Sequence, residues 1–350
     1  MVWSAQPDLT EAVRNVTEAS NTGNAATPIL ARQARYLTGV ARRAPSLHNT
    51  QPWRFTVSGD AIELQADASR QLSVDPDGRE MLISCGAVLY GLRLAVRSLG
   101  YLPEVEILPA LAWQRRLARV RLGPAAPMTA DERKMLAAVP HRHTHRGPFE
   151  AGPLPAGLFA RLRNDACTEG AALTQIEPGA TLRRLTAVVA DAGRRQDRDP
   201  RSRAEISRWS HGVTSPARDG VPAHAFPAEP GRTPARLPQR DFDLGRGLGL
   251  LPTGDPPPPV TAALFTPGDS ERDWLQAGEA LHRLLLRAAA EWVFARLNTQ
   301  PLEDPLTRTL IREGLELPGA PQMLLALGVS RTAHPTTRRP AADLIGPDAP

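Results

Sequence analysis

Lysine is almost missing from this chain. Of its 42 Lys and Arg residues, Lys134 is the one lysine, so 42 − 1 = 41 are arginine. Arginine forms bidentate contacts with phosphate, which raises a nucleic-acid or phospho-ligand partner as a possibility to weigh. The formal charge is +5 against 37 acidic residues, and no long basic block occurs, which argues against nucleic acid. Most arginines read as solvated and paired to acids, at little energetic gain. Cysteine is nearly missing too. Cys85 and Cys167 are the only two, which excludes a disulfide framework and a zinc-type cysteine cluster; Cys85 falls in an apolar helix and reads as packing. No run of about 18 apolar residues is present, and Met1 to Asn24 lacks the basic-then-apolar order of a signal peptide. No membrane partner is expected, and the expected location is cytoplasmic. Finally, there is no Gly-x-Ser-x-Gly, no Gly-x-x-x-x-Gly-Lys and no Gly-x-Gly-x-x-Gly, so hydrolase, P-loop and Rossmann readings lack support.

What the chain does have is 35 Pro and 27 Gly among 350 residues, with 41% apolar residues. That mixture predicts a folded core of one large or two ordinary domains, carrying long irregular excursions. Residues 1–28 read as a loose polar tail. A short helix is expected over Leu30–Arg43, stopped by Ala44-Pro45-Ser46 because a residue before proline disfavours helix. Trp53–Val57 and Ile62–Ala66 predict a hairpin. Asp75-Pro76-Asp77-Gly78 opens a long helix over about Arg79–Leu99, apolar on nearly every side and therefore buried. Val105–Leu108 and Leu117–Leu122 predict strands, and Asp131–Val139 a short helix. From about 190 to 260 Arg, Asp, Pro and Gly dominate, which leaves a lid or a disordered insertion open as readings. Val260–Phe265 predicts a strand, Trp274–Leu297 a second long helix, and Met323–Val329 a buried strand.

The two long helices repeat one another. Gly86, Leu89, Leu92 and Leu94 match Gly278, Leu281, Leu284 and Leu286 at a constant offset of 286 − 94 = 192, and each copy follows a turn containing Gly and Asp. The pattern suggests duplication and fusion.

The densest collection of chemical groups is Ala44-Pro45-Ser46-Leu47-His48-Asn49-Thr50-Gln51-Pro52-Trp53, between a helix end and a strand. By composition alone it can be a turn whose Ser46 and Asn49 bond their own backbone. The segment resembles the Pro-Ser-x-x-Asn-x-Gln-Pro-Trp stretch of nitroreductase-like flavoproteins. With Asp75-Pro76-Asp77-Gly78-Arg79-Glu80, Ser84-Cys85-Gly86-Ala87, Arg142-His143-Thr144-His145-Arg146-Gly147-Pro148-Phe149, Asp219-Gly220-Val221-Pro222 and Arg338-Arg339-Pro340 following in order, it is similar to the Acg-type subfamily. The likeness spans about residues 30–346.

The resemblance implies an α+β, nitroreductase-like fold: two tandem related halves forming an intramolecular pseudo-dimer, with mixed or antiparallel sheets packed on long central helices. The halves are expected over 29–140 and 141–350, the second carrying the 190–260 insertion. It further implies one FMN between the halves of a monomer. Ser46, His48, Asn49 and Gln51 would meet the ring edge, and Gln300, Leu302 and Glu303 would approach from beyond the second long helix. Arg142, Thr144 and Arg146 would hold the phosphate, together with Arg338 or Arg339. If the segment is helical, Arg142 and Arg146 share a face as i and i+4. The family's usual Gly-Leu pair at the end of the second helix is replaced here by Trp292-Val293-Phe294. His141, His143 and His145 alternate as metal ligands could on a strand, but no Cys or carboxylate cluster accompanies them and Arg142 would repel a cation, so no metal is expected. Two functions follow: an FMN-dependent oxidoreductase passing electrons from NAD(P)H to a small nitroaromatic or quinone-type acceptor, or a flavin-holding protein with an occluded site and little turnover. No catalytic side chain is expected, because the flavin carries the chemistry.

Overall fold

The computed structural model describes residues 29–107, 116–226, 237–248 and 257–346. The loose tail expected over 1–28, the end of the strand at Leu108, and residues 227–236 and 249–256 of the expected 190–260 insertion lie outside the described residues.

The chain begins with α1 (Ile29–Ala41), the hairpin β1 (Trp53–Ser58) and β2 (Ala61–Ala66), and the long helix α2 (Arg79–Ser98). Strands β3 (Tyr101–Ile107) and β4 (Arg116–Ala125) and helix α3 (Ala130–Ala138) follow. Next come α4 (Leu158–Thr168), β5 (Ala172–Ile176), α5 (Ala180–Arg198), α6 (Pro200–Arg208) and the short pair β6 (Ser210–His211) and β7 (Val221–Pro222). The chain closes with β8 (Val260–Thr266), α7 (Glu271–Ala290), β9 (Val293–Asn298), the single turn α8 (Gln300–Glu303), α9 (Pro305–Gly314) and β10 (Ala320–Val329).

This is an α+β architecture with two antiparallel four-stranded sheets. One has the order β1-β2-β4-β3, the other β5-β8-β10-β9. Both therefore run first, second, fourth, third, and in both a long helix of 20 residues intervenes between the second and third strands. α2 begins after Gly78, whose φ of 74° suits glycine, and α7 begins with a Ser270/Asp273 capping box. α2 is long and apolar enough to be weighed as a membrane span, but 83% of its most apolar window is buried inside the protein.

The two long helices cross where Gly86 meets Gly278. A Cβ at Gly86 would lie 1.9 Å from the Leu275 carbonyl oxygen, and one at Gly278 would lie 2.0 Å from that of Ile83. The contact is reciprocal at the same offset, 278 − 86 = 275 − 83 = 192, so the repeated glycines serve each other. Around the crossing, Leu89, Leu92, Leu284 and Leu286 are fully buried.

The second long helix is shorter than the periodicity suggests. It ends at Ala290, Trp292 takes a left-handed φ of 55°, and Val293–Asn298 becomes β9, paired with β10 from Val293↔Val329 to Asn298↔Leu324. Leu, Arg and Ala continue a good helical composition here, but the strand ladder with β10 and burial of Val293 and Phe294 outweigh it. Within the expected 190–260 insertion, the described residues include the end of α5, α6 and the β6–β7 pair. α5 buries Leu182, Leu185, Val189 and Ala192 on one stripe. Residues from α6 to 226 and from 237 to 248 share a small core of Ile206, Val221, Ala223, Ala225, Phe226 and Phe242.

Two segments cross between the sheets. After β10 the chain returns to the first sheet, where Phe55 N donates to Leu344 O (2.7 Å) and Gly346 N to Phe55 O (2.8 Å). In the other direction, Thr144 bridges to Ala295 of β9.

The crossing makes a simple prediction for denaturant unfolding. Gly278→Ala should lower stability by about 3 kcal/mol, because backbone must move. Gly39→Ala in α1, where a Cβ meets nothing within 4 Å, should raise it by about 0.5 kcal/mol. Equal effects would mean the helices can separate freely.

Candidate functional site

The loop after α1 closes on itself. Asn49 N donates to Ser46 O (3.0 Å), Gln51 N to Ser46 Oγ (3.0 Å), and Thr50 Oγ1 to Leu47 O (2.9 Å). This curl forces His48, Asn49 and Gln51 into positive φ, at 49°, 57° and 51°. Such conformations cost about 1–3 kcal/mol each and persist where surrounding structure over-determines them.

Surrounding structure does so here. Asn49 Nδ2 donates to Gly220 O (2.9 Å) and Thr337 O (3.1 Å). Gln51 Nε2 donates to Arg218 O (2.9 Å), and its Oε1 accepts from Arg339 N (2.9 Å). Asn49 and Gln51 thus tie the β6–β7 connection and the C-terminal segment to the loop, and neither lines the cleft beside it. Ser46 and His48 do line that cleft.

The cleft encloses about 780 Å³ of space, the open solvent at its mouth included. The loop supplies one wall, and the first turns of α2 add Glu80, Ile83 and Ser84. Leu281 of α7 and Met323 of β10 make an apolar floor, with Arg296 to Gln300 running along β9 into α8. Thr144 and Arg146 enter at one side, and Gln239, Arg240 and Phe242 at another. The Phe242 ring stands edge-on to His48 at 5.3 Å and lies 5.2 Å from the Arg146 guanidinium carbon. His48 is buried, and burial with Arg240 and Arg146 nearby holds its imidazole well below the usual range.

Residues 142–146 are extended, not helical. His145 N donates to Ala295 O (2.9 Å), and alternate residues face opposite ways. His141 stacks on Trp292, 5.2 Å apart and 11° from parallel, while His143 and His145 pack on Phe294 and Phe149. Trp292, in the left-handed turn where a glycine would be unstrained, is held by that stack. Arg142, Thr144 and Arg146 fall on the other face as i, i+2 and i+4. The sharing of a face expected from a helix is therefore produced by an extended segment with a single bridge at Thr144.

On that face lies a concentration of unneutralised positive charge. Arg142 Nη2 donates to Arg43 O (2.8 Å), leaving its Nε and Nη1 buried without a partner. Arg338 Nη2 donates to Ala44 O (3.1 Å), and its Nε is buried and unpartnered; so is Arg146 Nη1. Burial holds Arg142 and Arg146 down to about 10. Arg338 lies well below its ordinary value, through burial and then Arg142, Arg43, Arg42 and Arg146. By contrast, Arg93 meets Glu169 and Glu279, and Arg283 meets Asp165 and Glu169. Arg339 sits apart, about half-buried, with Nη2 on Asp343 O and Asp67 and Asp219 nearby. Of the two C-terminal arginines, Arg338 is the one that joins Arg142.

The α8 residues divide. Gln300 lines the cleft and donates to Gln196 Oε1 (3.1 Å). Leu302 is buried in the core behind it, its carbonyl accepting from Arg79 Nη2 (3.3 Å). Glu303 lies behind the cleft in an ion pair with Arg240 and accepts from Gln196 Nε2 (2.6 Å). The expected set thus comes together only in part: Ser46, His48, Thr144, Arg146 and Gln300 share the cleft, Arg142 and Arg338 cluster next to Arg146, and Asn49, Gln51, Leu302, Glu303 and Arg339 do not line it. The sequence reading passed over Glu80, Ser84, Arg240, Phe242, Arg296 and Asn298. Glu80 and Ser84 lie in segments that carried the family resemblance, a usable signal. Arg240 and Phe242 lie in the Arg/Pro-rich region, where nothing local marks them.

No protein-family model matches the chain. A Mycobacterium tuberculosis protein with the provisional name NAD(P)H nitroreductase Rv3131 is 36% identical over 325 residues, 90% of this chain and 91% of its own. An uncharacterized protein of the same organism, Rv3127, is 29% identical over 87% of this chain and 90% of its own. The provisional NAD(P)H nitroreductase acg, also from that organism, is 28% identical over 87% and 93%. The chain belongs to the nitroreductase-like family of oxidoreductases, with Acg-type proteins among its relatives.

His282 of α7 offers a test of the site's acid sensitivity. Fully buried, with Nδ1 2.6 Å from Ala87 O, it is lowered to about 3 by burial, with Arg142 and Arg338 opposing a further charge. Its folded value lies below the unfolded one near 6.5. The neutral form therefore stabilises the fold above pH 6.5, and this contribution is lost as pH falls through 6.5 toward 3. Urea midpoints should fall below pH 6.5 more steeply in the wild type than in His282→Gln, by up to about 1.4 kcal/mol per pH unit. Parallel profiles would show that His282 is not held neutral.

Proposed function

We propose that the chain is an FMN-dependent oxidoreductase that uses NAD(P)H to reduce a small acceptor of nitroaromatic or quinone type. The observation that carries the reading is the set of buried, unpartnered guanidinium nitrogens on Arg142, Arg146 and Arg338 beside the cleft. Buried cations without carboxylates are costly and imply an anion that offsets them. A phosphate dianion presents three acceptor oxygens to such donors, so the residues fit FMN. Arg142, Arg146 and Arg338, with the Thr144 hydroxyl, would hold the phosphate. Ser46 and Gln300 would offer polar contacts to the ring system, with Ile83, Leu281 and Met323 as apolar surface. When bound, FMN supplies the two-electron transfer between nicotinamide and acceptor. The protein's residues bind it, orient it and exclude water, with Phe242 and its segment covering one side.

A second reading has its own observation. The segment 237–248 is pinned over the cleft by Arg240–Glu303 and by the Phe242 core, so the chain can act as a flavin holder with a covered site. We also infer that the two halves, 29–140 and 141–350, descend from one duplicated unit. The support is the shared strand order, the equivalent long helices and the reciprocal glycine contact at an offset of 192.

Arg146→Ala should raise the FMN dissociation constant by about tenfold or more, as expected for losing a charged hydrogen bond; flavin fluorescence titration measures it, and an unchanged constant removes Arg146 from the phosphate. Anaerobic NADPH or NADH should bleach the oxidised flavin spectrum within seconds. Persistence of that spectrum would favour the flavin holder, and protein unable to take up FMN would remove both readings.

A further inference from the structure

At the cleft wall two carboxyl groups are buried close together, Glu80 on the cleft and Glu303 behind it. Glu303 is well supplied with partners: Arg240, Gln196 Nε2 at 2.6 Å and Thr299 Oγ1 at 3.2 Å. Glu80, which lines the cleft, has only the Arg79 guanidinium, 2.8 Å from Oε1, and its Oε2 is enclosed with no partner. Arg79 is itself shared, donating also to Gln322 O and Oε1 and to Leu302 O. Asp75 adds a third carboxylate at the start of α2, where it accepts from Met81 N (2.9 Å). Three acids thus face two closely held guanidiniums, Arg79 and Arg240, with Arg308 of α9 farther out. A buried carboxylate oxygen without a donor is unfavourable, and placing a proton on it removes both the excess charge and the unsatisfied acceptor. Burial, Glu303 and Asp75 all push the Glu80 carboxyl upward against Arg79 and Arg240.

We propose that Glu80 is a neutral carboxylic acid at pH 7 and serves the cleft as a hydrogen-bond donor, recognising a carbonyl oxygen or unprotonated ring nitrogen on the bound molecule. Glu303, with three donors, keeps the negative charge and anchors Arg240. The donor role selects ligands that present an acceptor there and disfavours those that present a second donor. The protonation itself is independent of what occupies the cleft, whereas the recognition rests on the reading that the occupant is FMN.

Infrared spectroscopy of the ligand-free protein separates the two parts. At pH 7 the wild type should show a protonated-carboxyl carbonyl band that disappears in Glu80→Gln and that titrates at lower pH in Glu303→Gln, where the neighbouring negative charge is gone. A band unchanged in Glu80→Gln overturns the proposal, as does one that does not move in Glu303→Gln. With FMN, Glu80→Gln keeps an N–H donor at every pH, so above about pH 7, where the phosphate is a dianion, its dissociation constant should stay flat through the pH at which the wild-type infrared band is lost. Across the loss of that band the wild-type constant should rise about three- to tenfold, the size of one neutral hydrogen bond. Parallel FMN profiles overturn the donor role. Protein that binds no FMN but retains the infrared behaviour defeats the flavin reading and leaves the neutral acid standing.

Discussion

The crossing of α2 and α7 is the constraint on which the rest of the structure depends. At Gly86 and Gly278 each helix backbone fills the space a side chain would occupy on the other. Such an approach fixes both distance and axial register, because sliding by one residue would bring a Cβ against a carbonyl. One turn from Gly86 lies Ile83, and one turn from Gly278 lies Leu281, so the register set by two hydrogen atoms determines which groups meet across the cleft. Each helix carries its own sheet, and the sheets follow.

Around this rigid centre the protein tolerates features that folding alone does not favour. Arg142, Arg146 and Arg338 hold guanidinium nitrogens out of water with no carboxylate to receive them, while arginines at the α4–α7 contact are well paired. Three consecutive or near-consecutive non-glycine residues adopt positive φ in the loop that forms the cleft's rim. A locally inconsistent arrangement kept by a consistent framework is the usual mark of a site. The polarity of the cleft also divides: cations collect toward Arg142 and Arg338, and carboxyl groups toward Glu80 and Glu303. A ligand spanning it would need an anionic end and an end that accepts hydrogen bonds.

The segments that complete the site come from far along the chain. The C-terminal stretch crosses back to lie on β1 and brings Arg338 to the carbonyls of residues 43 and 44. Residues 142–146 run along β9, and their alternation sends imidazoles into an aromatic layer and arginines toward the loop. Both side-chain donors of Asn49, with one donor and the acceptor oxygen of Gln51, hold residues 218–220 and 337–339, which makes the pair assembly residues whose loss would open the site without removing a lining group.

How much of this was legible in advance depended on the range of the interactions. Hydrophobic period, turn residues and the 192-residue offset are local or repetitive, and they determined α1, the β1–β2 hairpin, α2, β8 and β10, as well as the glycine pair. The family segments drew attention to Ser46, His48, Arg146 and Gln300, which do meet. Tertiary structure decided where α7 stops, because the β9–β10 ladder is a contact between strands and leaves no trace in the helical composition of Leu284–Ala290. It also decided that 142–146 is extended, that Arg338 and not Arg339 joins the cationic cluster, and that Arg240 and Phe242 close the cleft. Each of those outcomes is set by burial and by partners at least 324 − 298 = 26 residues away, and a neighbour at that distance in sequence exerts no force until the chain has folded.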